Sequence, residues 1–319
     1  MTYYDVFNGD ADGLCALQQL RLSTPRESVL VTGVKRDIDL LRRVDAQAGD
    51  HVTVLDISLD KNREPLQELL ARGVHVEYFD HHFAGEIPRH AHLQAHIDTA
   101  ADICSALLVD EYLHGAQRAW AVVGAFGDNF DDSAQRAAEP LQLGDADVDT
   151  LRTLGICLNY NGYGVSLEDL FFDPAQLAAL IRPYADPLAF VRDEPAYARL
   201  HNGYRDDMAQ VEALRPESAD EQHALFVLPD APWARRVSGV YGNALAQQHP
   251  ARAHALLTVL PDGSYRVSVR APLTNKSGAD DLCRQFPTGG GRKAAAGINK
   301  LDVALYDKFV EAFRDAYSH

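Results

Sequence analysis

Cysteine, methionine and tryptophan are scarce in this sequence, and long hydrophobic runs are absent. Four cysteines, two methionines and two tryptophans occur among 319 residues. The cysteines form no Cys-x-x-Cys pair, so we expect neither thiolate zinc sites nor disulfides, but four reduced, mostly buried thiols: Cys15, Cys104, Cys157 and Cys283. No stretch approaches the roughly 20 apolar residues that span a bilayer. Because the N-terminus also lacks a secretory signal pattern, we expect a cytoplasmic protein without a membrane partner.

The chain also lacks an excess of basic charge. It has 30 Lys and Arg against 46 Asp and Glu, which gives a formal net charge of −16. A protein that coats long DNA or RNA needs basic surface to displace phosphate counterions, so this class is disfavoured. Small phosphorylated ligands remain suitable, because metal ions and a few local cations can reverse the field at a site.

The pattern of apolar segments predicts an α/β fold. Strand-like and helix-like segments alternate over the first hundred residues, which favours a mainly parallel sheet flanked by helices. Ligands bind such sheets beyond the carboxyl ends of the strands. The predicted strands are residues 3–7, 29–34, 52–57 and 74–79, and the predicted helices are residues 14–22, 37–46 and 63–72.

The rest of the chain predicts helices and then a second, smaller α/β domain. Residues 102–126 and 141–208 are mostly helical in pattern, and residues 214–222 are typical of a polar linker. The length suits two domains. We therefore expect a catalytic domain over 1–190, a helical connector over 191–222, and a C-terminal domain over 223–319. In the last, the predicted strands are residues 224–228, 255–260 and 265–271, and the predicted helix is 239–248.

Four polar clusters in the first domain each follow an apolar run. They are Asp10 with Asp12, then Asp56, then residues 80–82, and then Asp128. Each has an alternative interpretation when taken alone: a turn for the first, a helix cap for the second, a surface loop for the third and a helix-terminal turn for the fourth.

Together the clusters predict a metal site. They supply several carboxylates and one or two imidazoles, a set that favours Mn²⁺ or Mg²⁺ over zinc. Two such ions about 3.5–4 Å apart activate water and neutralise phosphate, which is what phosphoester hydrolysis requires.

A glycine-rich cluster in the second domain predicts an anion-binding site. It consists of Gly289, Gly290, Gly291, Arg292 and Lys293. We expect a helix to start near Lys293, so that its dipole, the glycine N–H groups and the two cations hold a phosphate. The alternative is a flexible turn before an alanine-rich helix.

These motifs resemble the DHH phosphoesterase family. Asp-His-His at residues 80–82 is the motif that names the family, and Asp-Ala-Asp-Gly at 10–13, Asp56 and Gly-Asp-Asn at 127–129 follow its order and spacing. The triglycine, preceded by Ser268-x-Arg270, is similar to the DHH-associated C-terminal domain of RecJ- and nanoRNase-like proteins. The resemblance covers nearly the whole chain.

The resemblance implies a role for each site residue. Asp10 and Asp56 would bind one metal ion, with Asp56 bridging to a second ion. His82 would contact the scissile phosphate, and Asp80 would orient the adjacent histidine. The implied ligands of the second ion are Asp12, Asp56, His81 and Asp128, and the implied substrate-binding residues are Arg270, Gly289, Gly290, Gly291, Arg292 and Lys293.

Three positions depart from the family pattern. Val6 stands where many relatives have a histidine, and Asn8 where others have an aspartate. Asn8 is therefore a neutral candidate ligand, and the first ion would be held by fewer charges. Arg292 stands where the family usually has histidine, and its bidentate phosphate contact implies a different substrate choice.

The function that the sequence predicts is hydrolysis of phosphate esters in dinucleotides, short oligonucleotides or nucleoside bisphosphates, with two Mn²⁺ or Mg²⁺ ions as cofactor. The alternatives are a pyrophosphate or polyphosphate hydrolase, and a nucleotide-binding protein that has lost catalysis. The sequence leaves open whether the chain forms a homodimer. Lys35 and Arg36 follow the second strand, and they either contact a substrate phosphate or begin a solvated helix.

Overall fold

A five-stranded parallel sheet forms the centre of the N-terminal unit, Met1–Gly203. The structure is a computed structural model that describes residues 1–318. The strand order is β2-β1-β3-β4-β5, and all pairs are parallel, so the predicted fold class is confirmed. The strands are β1 (Tyr3–Phe7), β2 (Val29–Val31), β3 (His51–Leu55), β4 (His75–Asp80) and β5 (Leu93–Ile97).

Nine α-helices complete this part of the described chain. Two of them, α1 and α2, follow β1 and β3 as the alternating pattern predicts, and the remainder follow the sheet in sequence. The helices are α1 (Ala11–Ser23), α2 (Arg63–Ala71), α3 (Ser105–Tyr112), α4 (Arg118–Gly127), α5 (Asp131–Ala138), α6 (Asp145–Asn161), α7 (Pro174–Ile181), α8 (Pro187–Asp193) and α9 (Pro195–Glu212).

The predicted helix over residues 37–46 is wrong. Only a short 3-10 helix, Leu40–Arg43, forms there. The backbone N–H of Leu41 donates to Asn62 Oδ1, and Asn62 Nδ2 donates to the Ile38 carbonyl, so a side chain takes hydrogen bonds that an α-helix would use. The irregular path lets Leu40, Leu41 and Val44 all reach the core.

The central strands β1, β3 and β4 are covered on both faces of the sheet. On one face, alternate residues such as Val52, Val54 and Tyr78 pack against Leu66 and Leu69 of α2. On the other face, α1 contacts β1 and β3 and is itself covered by α3, α4 and α6. This double covering explains why α1 is buried over nearly its whole length instead of showing one apolar stripe.

A mixed six-stranded sheet forms the second unit, which begins at Tyr204 within α9. Its order is β10-β11-β9-β8-β7-β6, and only β7 and β8 pair in parallel. The smaller α/β domain predicted from the sequence is confirmed as a fold class. Its elements are β6 (Ser218–Ala219), β7 (His223–Leu228), α10 (Pro232–Gln248), β8 (Ala253–Val259), β9 (Tyr265–Arg270), α11 (Ala279–Cys283), β10 (Gly289–Gly291), β11 (Ala295–Leu301) and α12 (Tyr306–Tyr317).

The predicted helix near Lys293 is also wrong. The triglycine is strand β10, and the alanine-rich segment after it is strand β11. Ala296 and Ile298 point into the core beside β9, where Ala296 pairs with Val269. The packing of alternate side chains against a neighbouring strand therefore outweighs the helix propensity of alanine. The predicted phosphate contact from a helix that begins near Lys293 is therefore not formed.

The sequence predicts reduced cysteines and no membrane-spanning helix. All four cysteines are free and buried, as predicted. Within residues 1–318, no helix combines the length and apolarity needed to cross a bilayer.

Close packing of α4 against α6 makes a prediction about Gly155. A Cβ at this position would lie 2.4 Å from the Val123 carbonyl oxygen, so the helices must separate to accept it. We expect Gly155→Ala to lower the free energy of unfolding by about 1–3 kcal/mol. The exposed substitution Asp149→Ala in the same helix should change it by less than about 0.5 kcal/mol. Urea titration measures both, and equal stability of the two variants would contradict this packing.

Candidate metal and phosphoester site

The register of the parallel strands brings three polar residues to one edge of the sheet. Phe7 pairs with Leu55, and Leu55 pairs with Phe79. Asn8 directly follows Phe7 of β1, and Asp56 directly follows Leu55 of β3. Asp80 is the last residue of β4. All three side chains are buried. The expectation that polar clusters gather beyond the carboxyl ends of the strands is met for these residues.

The two aspartates of the first motif are held at the start of α1. Asp10 caps the helix, and its Oδ1 accepts the backbone N–H groups of Asp12 and Gly13 at 3.1 and 3.2 Å. A Cβ on Gly13 would lie 2.2 Å from the Asn8 carbonyl oxygen, so only glycine permits this tight turn. The turn directs the second carboxylate oxygen of Asp10 away from the helix.

Asp12 joins α1 to the start of α3. Its two carboxylate oxygens accept the backbone N–H groups of Ser105 and Ala106, at 2.8 and 2.7 Å. Negative charge at the N-terminus of a helix is favourable, which helps to hold a fully buried carboxylate in place. Asp12 therefore has a structural role besides the ligand role that the sequence predicts.

Asp56 adopts a conformation that is uncommon for a residue with a side chain. Its φ is +59°, in the left-handed region, directly after β3. Its backbone N–H donates to the Phe79 carbonyl at 3.0 Å, and its Oδ1 accepts the Ser105 hydroxyl at 3.0 Å. Strained residues of this kind concentrate at functional sites, because the surrounding structure must enforce them.

The two histidines of the motif face different partners. His81 Nδ1 lies 3.1 Å from the Ile103 carbonyl oxygen, and because a carbonyl only accepts, Nδ1 carries a proton. His82 Nδ1 lies 2.7 Å from Asp80 Oδ1, so the histidine that Asp80 orients is His82. The His82 side chain is 44% exposed, which leaves its Nε2 accessible to a ligand.

His81 Nε2 lies at the centre of the carboxylates. It is buried, has no hydrogen-bond partner among the described residues, and lies 3.5 Å from Asp56 Oδ1, 3.7 Å from Asp128 Oδ2 and 3.9 Å from Asp12 Oδ2. When Nδ1 carries the only proton of the ring, the lone pair of Nε2 faces three carboxylate oxygens. A cation between them removes this repulsion.

The donor set fits a divalent ion. One atom each from Asp12, His81 and Asp128 lies within 4.8 Å of the other two, and so does one atom each from Asp56, His81 and His82. Carboxylate oxygens with one imidazole suit Mn²⁺ or Mg²⁺. The buried, unpartnered His81 nitrogen is the observation that supports this fit.

Burial and mutual repulsion perturb these carboxylates. Burial, followed by the charges of Asp12, Asp10 and other aspartates, raises the pKa of Asp56 well above its ordinary value. Burial also raises the pKa of Asp12, although His81 opposes the shift. For Asp10 the same burial effect is outweighed by the Lys35 ammonium and by hydrogen bonds, so its pKa is lowered. A cluster in which the pKa of some carboxyl groups is raised and that of another is lowered is typical of functional sites.

Lys35 is a site residue that the sequence pattern left undecided. Its Nζ contacts Asp10 Oδ2, and it lies 3.1 Å from Asp128 Oδ1 and 2.9 Å from Asn159 Oδ1. Burial lowers the pKa of Lys35, but the carboxylates of Asp10 and Asp128 raise it well above its ordinary value. The only sequence signal was its position after a strand of the sheet. Asn159, which lies far along the chain in α6, carried no signal.

The glycine-rich cluster of the second unit has a different form from the one predicted. Arg292 and Lys293 lie exposed in the turn of the β10–β11 hairpin. A Cβ on Gly289 would lie 1.8 Å from the Cys283 carbonyl oxygen, and Gly291 has a φ of +141°, so the fold requires both glycines. Beside Gly290, by contrast, a Cβ would meet open space, so packing does not explain this glycine.

Arg270 makes hydrogen bonds within the second unit. Its guanidinium donates to Asn243 Oδ1 at 2.7 Å, to Ser268 Oγ at 2.9 Å and to the Gly239 carbonyl at 3.3 Å. These bonds join β9 to α10. Its substrate contact stays a prediction, as do the substrate roles of Arg292 and Lys293.

Comparison with known proteins identifies the fold. No protein-family model matches the chain, and no curated protein matches it. Among solved structures, it is similar to an exonuclease RecJ bound to manganese, with a TM-score of 0.66 and 17% identity over 98% of this chain and 88% of that one. It is also similar to RecJ in complex with Mn²⁺ from Thermus thermophilus, with a TM-score of 0.60 and 18% identity over 98% of this chain. The chain spans about half of that protein, 51%.

A third similar structure has nearly the same extent as this chain. It is the pGpG-specific phosphodiesterase PggH from Vibrio cholerae, with a TM-score of 0.60 and 15% identity over 98% of this chain and 97% of that one. These likenesses confirm that the chain has the fold of the RecJ structures and of PggH.

Because the pKa of Asp56 is raised, we expect its carboxylate to lower the stability of the metal-free fold and to contribute to metal binding. A carboxyl whose pKa is higher in the folded chain favours folding below about pH 4, and that contribution disappears as pH rises toward the folded-state pKa. In chelator, we therefore expect Asp56→Asn to be more stable than wild type by about 1–3 kcal/mol, with a difference that widens from pH 4 to 8. Thermal unfolding scans measure this difference.

In the same scans with Mn²⁺, wild type should be more stable than Asp56→Asn. A ligand at 100 times its Kd stabilises the folded chain by about 2.7 kcal/mol, and the variant should lose most of that gain. The exposed substitution Asp206→Asn serves as the control and should match wild type in both conditions. A variant less stable than wild type in chelator at pH 8 would contradict the repulsion.

Proposed function

We propose that this chain, which has the RecJ-like DHH fold, is a metal-dependent phosphoesterase that hydrolyses dinucleotides, short oligonucleotides or nucleoside bisphosphates. The observation that carries the proposal is the buried His81 nitrogen among three carboxylates, beside an accessible His82. Asp12, Asp56, His81 and Asp128 would hold the ion. A bound Mn²⁺ or Mg²⁺ neutralises phosphate charge and lowers the pKa of a water molecule, which supplies the nucleophile.

His82 supplies the second chemical function in this proposal. Burial lowers its pKa, but the hydrogen bond to Asp80 and the nearby carboxylates outweigh that effect, so its pKa is raised. A raised pKa favours the protonated ring, which can hydrogen-bond a phosphate oxygen and donate a proton to the leaving oxygen through Nε2. Asp80 holds the ring at Nδ1 and stabilises its charged form.

Small nucleotides are the proposed substrates for two reasons. The net charge of −16 disfavours long nucleic acids, which bind through extended basic surfaces. PggH, which has almost the same extent as this chain, is specific for pGpG. The hairpin with Gly290, Arg292 and Lys293 would bind part of the substrate.

Turnover of a defined panel tests this function. The panel contains a linear 5′-phosphorylated dinucleotide, a cyclic dinucleotide, a nucleoside 3′,5′-bisphosphate and pyrophosphate, each with Mn²⁺ and analysed by chromatography. We expect hydrolysis of at least one nucleotide, and a loss of about 100-fold or more in kcat for His82→Ala. His90→Ala, which removes an exposed histidine elsewhere, is the matched control and should keep full activity.

The outcomes of the panel separate the alternatives. Hydrolysis of pyrophosphate alone would favour the pyrophosphate hydrolase instead. Binding of nucleotides without turnover at saturating Mn²⁺ would favour a nucleotide-binding protein. Full activity of His82→Ala would contradict the role given to this histidine.

The open space beside Gly290 makes a prediction about substrate affinity. If a ligand approaches the backbone there, a methyl group will obstruct it, so we expect Gly290→Ala to raise KM about tenfold, which corresponds to about 1.4 kcal/mol. Its melting temperature should stay that of wild type. Gly289→Ala should instead lower the melting temperature, because its Cβ would meet a backbone carbonyl. An unchanged KM in Gly290→Ala would exclude this approach.

A further inference from the structure

The Lys35 ammonium is fully bonded at the site. An ammonium has three donors, and three oxygens accept from it: Asp10 Oδ2, Asp128 Oδ1 and Asn159 Oδ1. The acceptors come from three separate segments of the chain, at the starts and ends of α1, α4 and α6. Three oxygens that converge on the Lys35 ammonium resemble the oxygen ligands that surround a bound metal ion.

The backbone on each side of Lys35 is fixed, so its direction is built into the fold. The Lys35 N–H donates to the Gly162 carbonyl at 2.8 Å, and the Lys35 carbonyl accepts from Asn8 Nδ2 at 3.3 Å. Val34 beside it is buried. The Lys35 side chain is 22% exposed, whereas lysine side chains are mostly solvent-exposed.

The residues around Asp10 differ from the family pattern in a way that agrees with a fixed cation. Val6, where many DHH relatives have a histidine, is buried in the apolar core and offers no ligand. The side-chain amide of Asn8 donates to the Lys35 carbonyl, which an aspartate cannot do. In place of a carboxylate or an imidazole, the Asp10 side of the site thus offers the neutral amide oxygen of Asn8, which is buried without a hydrogen-bond partner among the described residues, while Asp10 contacts the Lys35 ammonium.

The oxygens of Asp10 are already occupied. Oδ1 accepts two backbone N–H groups at the start of α1, and Oδ2 contacts the ammonium. The other side differs, since His81 Nε2 has no hydrogen-bond partner among residues 1–318 and faces Asp12, Asp56 and Asp128. The donor atoms that suit a divalent ion are therefore on the His81 side.

We propose that the Lys35 ammonium takes the place of the metal ion that Asp10 would otherwise hold, so that the chain binds a single divalent ion on the His81 side of the cluster. This inference rests on the proposed metal-dependent function and replaces the expectation of two ions that the family resemblance implied. Lys35 is a positioning residue in this scheme. It fixes Asp10 and Asp128 through hydrogen bonds and places an ammonium group beside the ion.

The number of Mn²⁺ ions per chain tests the proposal. Titration calorimetry of the metal-free wild type should give one Mn²⁺ per chain, and its electron paramagnetic resonance spectrum should be that of an isolated ion. Two ions per chain with spin coupling between them would overturn the inference. No Mn²⁺ binding at millimolar concentration would instead overturn the proposed function, so the two failures are distinguishable.

Variants identify Lys35 as the cause. In the double variant Lys35→Ala with Asn8→Asp, the ammonium is removed and a carboxylate is restored, so we expect two Mn²⁺ per chain and a coupled spectrum. Lys61→Ala with Asn8→Asp is the matched control, because Lys61 is exposed, and it should still bind one ion. One ion in the folded Lys35 double variant, checked by circular dichroism, would contradict the inference.

Discussion

Repulsion among buried carboxylates is the constraint on which this site depends. Asp10, Asp12 and Asp56 are each at most 2% exposed, and Asp128 lies beside them. Carboxylates this close are costly to bury together unless cations neutralise them. Lys35 neutralises one side of the group, and the unpartnered His81 nitrogen marks the side where a cation is still needed. The fold therefore buries mutually repelling carboxylates, which a bound metal ion would stabilise.

The rest of the N-terminal unit holds this group in place. In-register parallel strands bring Asp56 and Asp80 to one edge, and the turn at Gly13 brings α1 to the same edge. The start of α3 binds both oxygens of Asp12 through backbone N–H groups. Asp10 and Asp12 accept backbone N–H groups, and Asp56 accepts the Ser105 hydroxyl. These hydrogen bonds restrict how far the three carboxylates can move apart to reduce their repulsion. Preorganisation of this kind is what a metal or phosphate site needs.

Much of the fold could be predicted from the sequence, because the strands of a covered parallel sheet are continuous apolar runs. Residues 3–7 match β1 in full, and the clusters that follow the runs do converge. The helix expected near Lys293 was wrong because strand pairing with β9, a long-range contact, determines that segment. Lys35 was left with two alternatives, and Asn159 was not identified, because their partners are distant in sequence. Local patterns do not report such contacts.

The most direct measurement is anomalous diffraction at the manganese absorption edge, from crystals of the wild-type chain grown with Mn²⁺. The account predicts one strong peak per chain, surrounded by Asp12, Asp56, His81 and Asp128, with Lys35 Nζ still bonded to Asp10. Absence of a peak at these residues would contradict a metal-dependent role. A second peak at the position of the Lys35 ammonium would show that the lysine yields to an ion, and would contradict the single-ion site.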